Sequence, residues 1–278
     1  MKKILRIGAL LLITTMLFCG CDVKEDNTKK STKETTVKTT VTVATNKQNE
    51  NSNDREEVEK RPEVVRKKVA LTFDDGPDDI NTKMLVDELN KYGFNATFFV
   101  VGKKIDNAQF DVSSVLNYVL DNGNEIGIHA YNHNVGYGDG CSEENYQSEI
   151  TKTADAVHTV LPDYEIKLMR PTYGQITAER IAKSDYSVIN WSIDTYDWKY
   201  TGRATESEKL DNIMAVVNTV ISRIQEGDIV LMHEVHDNSL EAAVIILEWL
   251  YANGYEVVPV SELLGEDMKP GVRYYSAK

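Results

Sequence analysis

The chain is poor in cysteine, short of positive charge and without a long apolar segment, and each shortage removes a class of protein. Only three of its 278 residues are cysteine, Cys19, Cys21 and Cys141, so a disulfide-stapled scaffold is excluded. Lys plus Arg number 31 against 44 Asp plus Glu, a formal charge of −13. A nucleic-acid binder needs the opposite sign to displace counterions from phosphates. The apolar run Ile7–Phe18 is too short to cross a bilayer as a stable anchor. No G-x-S-x-G occurs, which disfavours a serine esterase built on a nucleophile elbow. No segment repeats at a period of 20–50 residues, so a solenoid is not expected.

What remains is unevenly distributed. Lys2, Lys3 and Arg6 precede the short apolar run, the pattern of a secretory signal. Its end, Phe18-Cys19-Gly20-Cys21, resembles the lipobox of bacterial lipoproteins, which implies acylation of Cys21 and an extracytoplasmic protein held to the cell membrane by lipid alone. Residues 22–66 contain no aromatic side chain, eight apolar ones and eight threonines, too little to offset the entropy of ordering. This stretch is expected to be a disordered tether. Its ten cations and ten anions cancel, so with +3 on residues 1–21 the rest, 67–278, carries −16. One folded domain of about 210 residues is expected there.

From Lys67 onward, short β-branched runs alternate with segments of helical period. Strands are predicted at 69–73, 96–101, 125–129, 168–170, 187–191, 228–232 and 256–259. Helices are predicted at 82–92, 113–122, 143–161, 206–225 and 240–253, with a short turn after Thr177. Gly93, Gly123, Gly227 and Gly254 follow four of these helices, as C-terminal stops commonly do. The alternation predicts an α/β fold with about seven parallel strands, either an open sheet or an incomplete barrel. In both, ligands bind at the carboxyl ends of strands.

Polar residues gather at those ends. Asp74-Asp75-Gly76-Pro77 follows the first strand, His129-Ala130-Tyr131-Asn132-His133 the third and Arg170-Pro171-Thr172-Tyr173-Gly174 the fourth. Asp194-Thr195-Tyr196-Asp197-Trp198 follows the fifth and His233-Glu234 the sixth. An aspartate with two histidines suits a borderline divalent cation and leaves coordination positions open for water or substrate. Successive side chains on a strand point to opposite faces, so Asp74 and Asp75 are expected to divide two tasks, metal binding and proton transfer. His233-Glu234-Val235-His236 is not a zincin motif, because its histidines are three apart rather than four. Cys141 reads as an unpaired loop thiol, His158 as a surface or packing residue, His236 as a rim or loop residue, and Trp191 and Trp249 as core.

LTFDDGP, HAYNH, RPTYG, DTYDW and VLMH stand here in the order and approximate spacing of the five motifs of the polysaccharide deacetylase family, carbohydrate esterase family four, and NATFFVVG is similar to that family as well. The resemblance covers roughly residues 67–264. It implies a deformed (β/α) barrel and metal-dependent removal of N- or O-acetyl groups from polysaccharide. It further implies that Asp74 is the catalytic base, that Asp75, His129 and His133 bind the metal, and that Arg170 orients Asp74. The backbone N–H of Tyr173 would meet the oxyanion, and His233, tuned by Asp197, would protonate the leaving amine. Trp198 and Leu231, with Tyr173, would line the substrate site.

Two positions depart from the pattern. Ala130 stands where the family usually has serine or threonine, so a hydrogen bond steadying the histidine loop is expected to be missing. Glu234 stands where aspartate is usual. The expected substrate is cell-wall glycan, first of all N-acetylglucosamine of peptidoglycan, with acetylated xylan, chitin or poly-N-acetylglucosamine as alternatives. A non-catalytic glycan binder of the same fold is the alternative of another class. The expected cofactor is one divalent ion, zinc first, with cobalt, manganese or nickel also compatible with the ligand set.

Overall fold

The computed structural model describes residues 66–200 and 204–278; the signal, Cys21 and all of the tether except Arg66 lie outside them. Nine strands form one sheet in the order β6-β7-β1-β2-β3-β4-β5-β9, with β8 pairing the start of β1. They are β1 Lys67–Gly76, β2 Thr97–Val101, β3 Glu125–Ala130, β4 Leu168–Met169, β5 Ser187–Ile189, β6 Ile193–Asp194, β7 Ile229–His233, β8 Tyr255–Val257 and β9 Arg273–Tyr274. Every pairing between these strands is parallel. The curled parallel sheet is the deformed barrel expected, but with nine strands rather than about seven. The two unforeseen strands, β6 and β9, are two residues each, too short to carry a period in sequence.

The helices are α1 Asn81–Asn90, α2 Gly102–Asp106, α3 Val112–Asp121, α4 Glu143–Val160, α5 Ala178–Ala182, α6 Glu206–Ile221, α7 Asp237–Ala252 and α8 Val260–Leu264. Only the five-residue α2 and α8 had no counterpart in the apolar pattern. The α6 start is set by a reciprocal cap between Thr205 and Glu208, which satisfies two amides that an uncapped first turn leaves bare. The four expected stop glycines all have positive φ, between 66° and 81°.

The strand faces sort the core into two parts. Val69, Leu71 and Phe73 of β1 point outward into the large cluster under the helices. Ala70 points inward with Phe99, Leu168, Ile189, Ile229 and Val260, so apolar side chains fill the barrel below the site. Continuing the inward series by steps of two reaches Thr72 and then Asp74. The adjacent strand does the same, since Leu231 pairs with Thr72 and His233 with Asp74. The fold thus places Asp74 and His233 side by side at the carboxyl ends of the neighbouring strands β1 and β7.

Candidate active site

The deepest part of the site is an arginine. Arg170, just after β4, is fully buried and spends its donors in four directions. Nη1 donates to Thr72 Oγ1 at 2.7 Å and to Asp74 Oδ1 at 2.8 Å. Nε and Nη2 donate to the carbonyls of Ile189 and Asn190, each at 3.1 Å, while the guanidinium lies 4.3 Å from the centroid of Phe99. Burial pulls its pKa down and the Asp74 carboxylate opposes that. A buried charge held this way is costly to leave unpaired, so Asp74 is fixed both in place and in direction.

Asp75 breaks the strand alternation. Its φ is 72°, and the β1–β2 register slips between Asp74 and Gly76. This bulge turns the second carboxylate toward the same cleft as the first, although their roles remain separate: Asp74 faces the arginine and Asp75 the histidines. Asp75 Oδ1 lies 3.3 Å from His133 Nε2 and 3.6 Å from His129 Nε2. His129 Nε2 is also 3.7 Å from Asp74 Oδ2. His133 itself adopts φ 56°, which brings its ring within 5.0 Å of the His129 centroid. Strained residues of this kind persist where the surroundings over-determine them, and they concentrate at working sites.

The donor set fits a divalent cation. One ligand atom from each of Asp75, His129 and His133 lies within 4.8 Å of the others. Asp75 Oδ1 is buried and accepts no hydrogen bond, a deficit of about 1–3 kcal/mol unless a positive group meets it. His129 Nδ1 lies 2.8 Å from the Arg170 carbonyl; a carbonyl can only accept, so Nδ1 carries a proton there and Nε2 is the nitrogen turned to the cleft, the one that would meet a metal. Burial, with His129 beside it, lowers the pKa of His133, favouring the neutral imidazole a metal requires.

The opposite wall is built differently. Asp197, in a 3-10 turn after β6, is 1% exposed. Its Oδ1 accepts from His233 Nδ1 at 2.8 Å and from Trp198 N at 2.9 Å, and its Oδ2 accepts from His233 N at 2.8 Å. Burial raises the pKa of Asp197, but the bonds from His233 outweigh it and hold the carboxyl below its usual range. For His233 the order is the same in reverse: burial lowers its pKa, and Asp197 carries it up to about 9. At neutral pH this imidazole is a cation whose Nε2–H is available.

Around the mouth, Tyr173 (φ 56°) and Trp198 are exposed. Tyr173 stacks edge-on against His133 at 5.0 Å, and its turn is tight enough that a side chain at Gly174 would strike Asn190 and Trp191. Leu231 is buried two residues before His233 on the same face. Every residue singled out by motif is therefore in one cleft. Two supports of the cleft were not foreseen: Thr72, which accepts from Arg170, and Glu149, which accepts from the amides of Tyr131 and Asn132 behind the histidine loop. Cys141 is free and buried, with Sγ near the Ser142 carbonyl, and forms no part of the histidine cluster. His158 is exposed, bonded to the Tyr164 carbonyl, and His236 precedes α7 half-buried.

A family profile described as polysaccharide deacetylase matches residues 61–186. The chain is similar to the peptidoglycan-N-acetylglucosamine deacetylase PgdA of Listeria monocytogenes, 32% identical over 220 residues that cover 78% of this chain and 44% of that one. It is also similar to a peptidoglycan-N-acetylglucosamine deacetylase of Bacillus cereus, 33% identical over 204 residues, 70% of this chain and 87% of that one. Among solved structures it is similar to a family 4 acetyl xylan esterase from Clostridium thermocellum in complex with a cobalt ion, with a TM-score of 0.65, 27% identity and coverage of 76% and 98%. The chain spans under half the length of the Listeria relative.

Proposed function

The chain belongs to the polysaccharide deacetylase family, and on that premise we propose that it is a metal-dependent hydrolase removing N-acetyl groups from cell-wall glycan, first of all from N-acetylglucosamine of peptidoglycan. The observation that carries the reading is the convergence of Asp75, His129 and His133 within 4.8 Å beside an Asp74 locked to Arg170. Peptidoglycan deacetylases among its relatives support the choice of substrate.

In this mechanism Asp75, His129 and His133 hold one divalent ion, with zinc as the preferred occupant. The ion supplies Lewis-acid polarisation and a lowered pKa for bound water. Asp74, whose Oδ1 is occupied by Arg170, takes the proton of the attacking water on its other oxygen, Oδ2. The Tyr173 backbone N–H donates to the oxygen that becomes negative, a contact worth most when fixed in advance. His233 keeps Nδ1–H on Asp197 and passes its Nε2 proton to the departing amine. Trp198 and Leu231 enclose the acetyl methyl group and exclude water.

The same proposal places the protein outside the cytoplasm, with residues 1–21 as a signal, Cys21 acylated and residues 22–66 as a tether. A Cys21→Ser variant is expected to leave the membrane fraction and lose labelled acyl chain. Retention of the label by that variant would remove the anchor from the account.

The function is tested by loading the protein with zinc and measuring acetate release from peptidoglycan, chitin oligomers and acetylated xylan in parallel. Preference for the first is expected. Preference for xylan, which the similarity to the xylan esterase makes the second reading, changes the bond cleaved from amide to ester but keeps the metal-assisted removal of an acetyl group. Binding of glycan with no acetate release from any of the three makes the protein a non-catalytic binder.

A further inference from the structure

The loop that carries both histidines has Ala130 at the position where a hydroxyl would steady it, and Ala130 is completely buried with nothing to donate or accept from its side chain. The loop is nevertheless held on three sides. Tyr137 Oη donates to the His129 carbonyl at 3.2 Å. Lys103 N, at the start of α2, donates to the Tyr131 carbonyl at 3.0 Å. The third grip is a carboxylate from α4 that is only 4% exposed, Glu149. Its Oε2 accepts from Tyr131 N at 2.9 Å and Asn132 N at 2.8 Å, and its Oε1 accepts from Asn132 Nδ2 at 2.8 Å.

These bonds fall on the two residues between Ala130, which ends β3, and His133, whose φ of 56° costs energy that the surroundings must supply. Adjacent backbone amides of Tyr131 and Asn132 point at one carboxylate oxygen, a geometry that fixes the peptide planes leading into His133. Hydrogen bonds to a carboxylate are roughly twice as strong as neutral ones. The base of Glu149 is itself rigid: Thr153 Oγ1 donates to its carbonyl at 2.6 Å. Any side chain at Gly102 would collide with Thr153 and Tyr131, so α2, α4 and the loop are in close contact. Tyr131 Oη adds a bond to Asp106 at 2.9 Å.

Resting on the metal site proposed above, we infer that Glu149 is the positioning residue of that site: it anchors the Tyr131–Asn132 segment and so sets the His129–His133 pair at ligand distance, the task Ala130 cannot perform. Glu149 touches neither substrate nor ligand atoms. Its removal therefore loosens the ligands without changing the groups that transfer protons.

The test compares the parent protein with Glu149→Ala and Glu149→Gln by zinc titration against a competing chelator, by amide hydrogen exchange of the zinc-free proteins, and by acetate release at saturating zinc. Glu149→Ala is expected to weaken zinc affinity about 10–100-fold and to speed exchange at Tyr131 and Asn132, with acetate release needing correspondingly more zinc to reach its plateau. Glu149→Gln keeps one acceptor oxygen but turns an N–H₂ toward a donor, so it should fall between the two; if the alanine variant does not fold, this isosteric one decides. Unchanged zinc affinity in a folded variant overturns the inference. So does affinity that weakens with no change in exchange at the two amides. Weakened affinity and faster exchange in chains that never release acetate, parent included, would leave the role of Glu149 standing and remove the deacetylase reading. A parent protein that takes up no divalent ion overturns both.

Discussion

The two walls of the cleft handle their charges in opposite ways. On the β6–β7 side and beneath it, two aspartates are matched: Asp197 accepts from the ring and backbone of His233, and Asp74 from the buried Arg170. On the β1–β3 side, Asp75 Oδ1 is buried without a donor and two imidazole nitrogens crowd it at 3.3–3.6 Å. Matched pairs hold a direction and tune a proton; a buried carboxylate oxygen that no donor meets is a place for a cation. Burial alone does not separate the walls, because Asp197 and Asp74 are more buried than Asp75. The number of donors aimed at each oxygen does.

Substitutions on each side should therefore fail differently. Asp75→Ala is expected to abolish both metal uptake and acetate release, measured by elemental analysis and product assay on the same sample; a variant that still binds one ion would break the distinction. Asp74→Asn should lower kcat by about 10²–10⁴-fold, the usual worth of a general base, with metal content unchanged. Its Arg170 contact would survive in part, so thermal stability should fall far less than activity.

Asp197→Asn sharpens the other wall. Loss of the carboxylate that carries His233 up to about 9 should cut kcat by about 10²-fold and move the alkaline limb of the pH–rate profile toward neutrality. An alkaline limb that stays in place would mean His233 is not the proton donor.

The smallest effect is expected beneath the cleft. Glu234 is wholly buried against Gly76, accepts from Thr82 Oγ1 at 3.0 Å, and is pushed by burial up to about 8. The folded state then holds a proton that the unfolded chain has released from about pH 4.5. Stability from this group is present below that pH and is lost as pH rises toward 8, with a slope of at most about 1.4 kcal/mol per unit. His233 acts in the same direction between its ordinary 6.5 and about 9. Glu234→Gln should therefore melt progressively later than the parent as pH goes from 5 to 8, by up to about ten degrees. A melting difference independent of pH would mean the carboxyl is ionised in the fold.

Much of the site was legible because strand ends concentrate it: each motif lies at a carboxyl terminus, and parallel register then brings Asp74 beside His233. Three things were not legible. β6 and β9 are too short for periodicity. The turning of Asp75 into the cleft comes from a bulge and a positive φ, where the simple alternation of strand faces no longer holds. Glu149 occupies the apolar stripe of α4 with Tyr146, Ile150, Thr153 and Val157, and a carboxylate on such a stripe signals a buried partner. Its partners are backbone amides 17 and 18 residues away, which no side-chain pattern reveals.

The most direct test of the contrast between the walls is to strip the protein with a chelator, add zinc back in steps, and follow bound metal and acetate release together in the parent, Asp75→Ala and Asp197→Asn proteins. The parent should bind one ion per chain with acetate release rising in proportion, Asp197→Asn should bind the same ion with little turnover, and Asp75→Ala should do neither. Full acetate release from the stripped parent, or loss of the ion in Asp197→Asn with its retention in Asp75→Ala, would contradict the account.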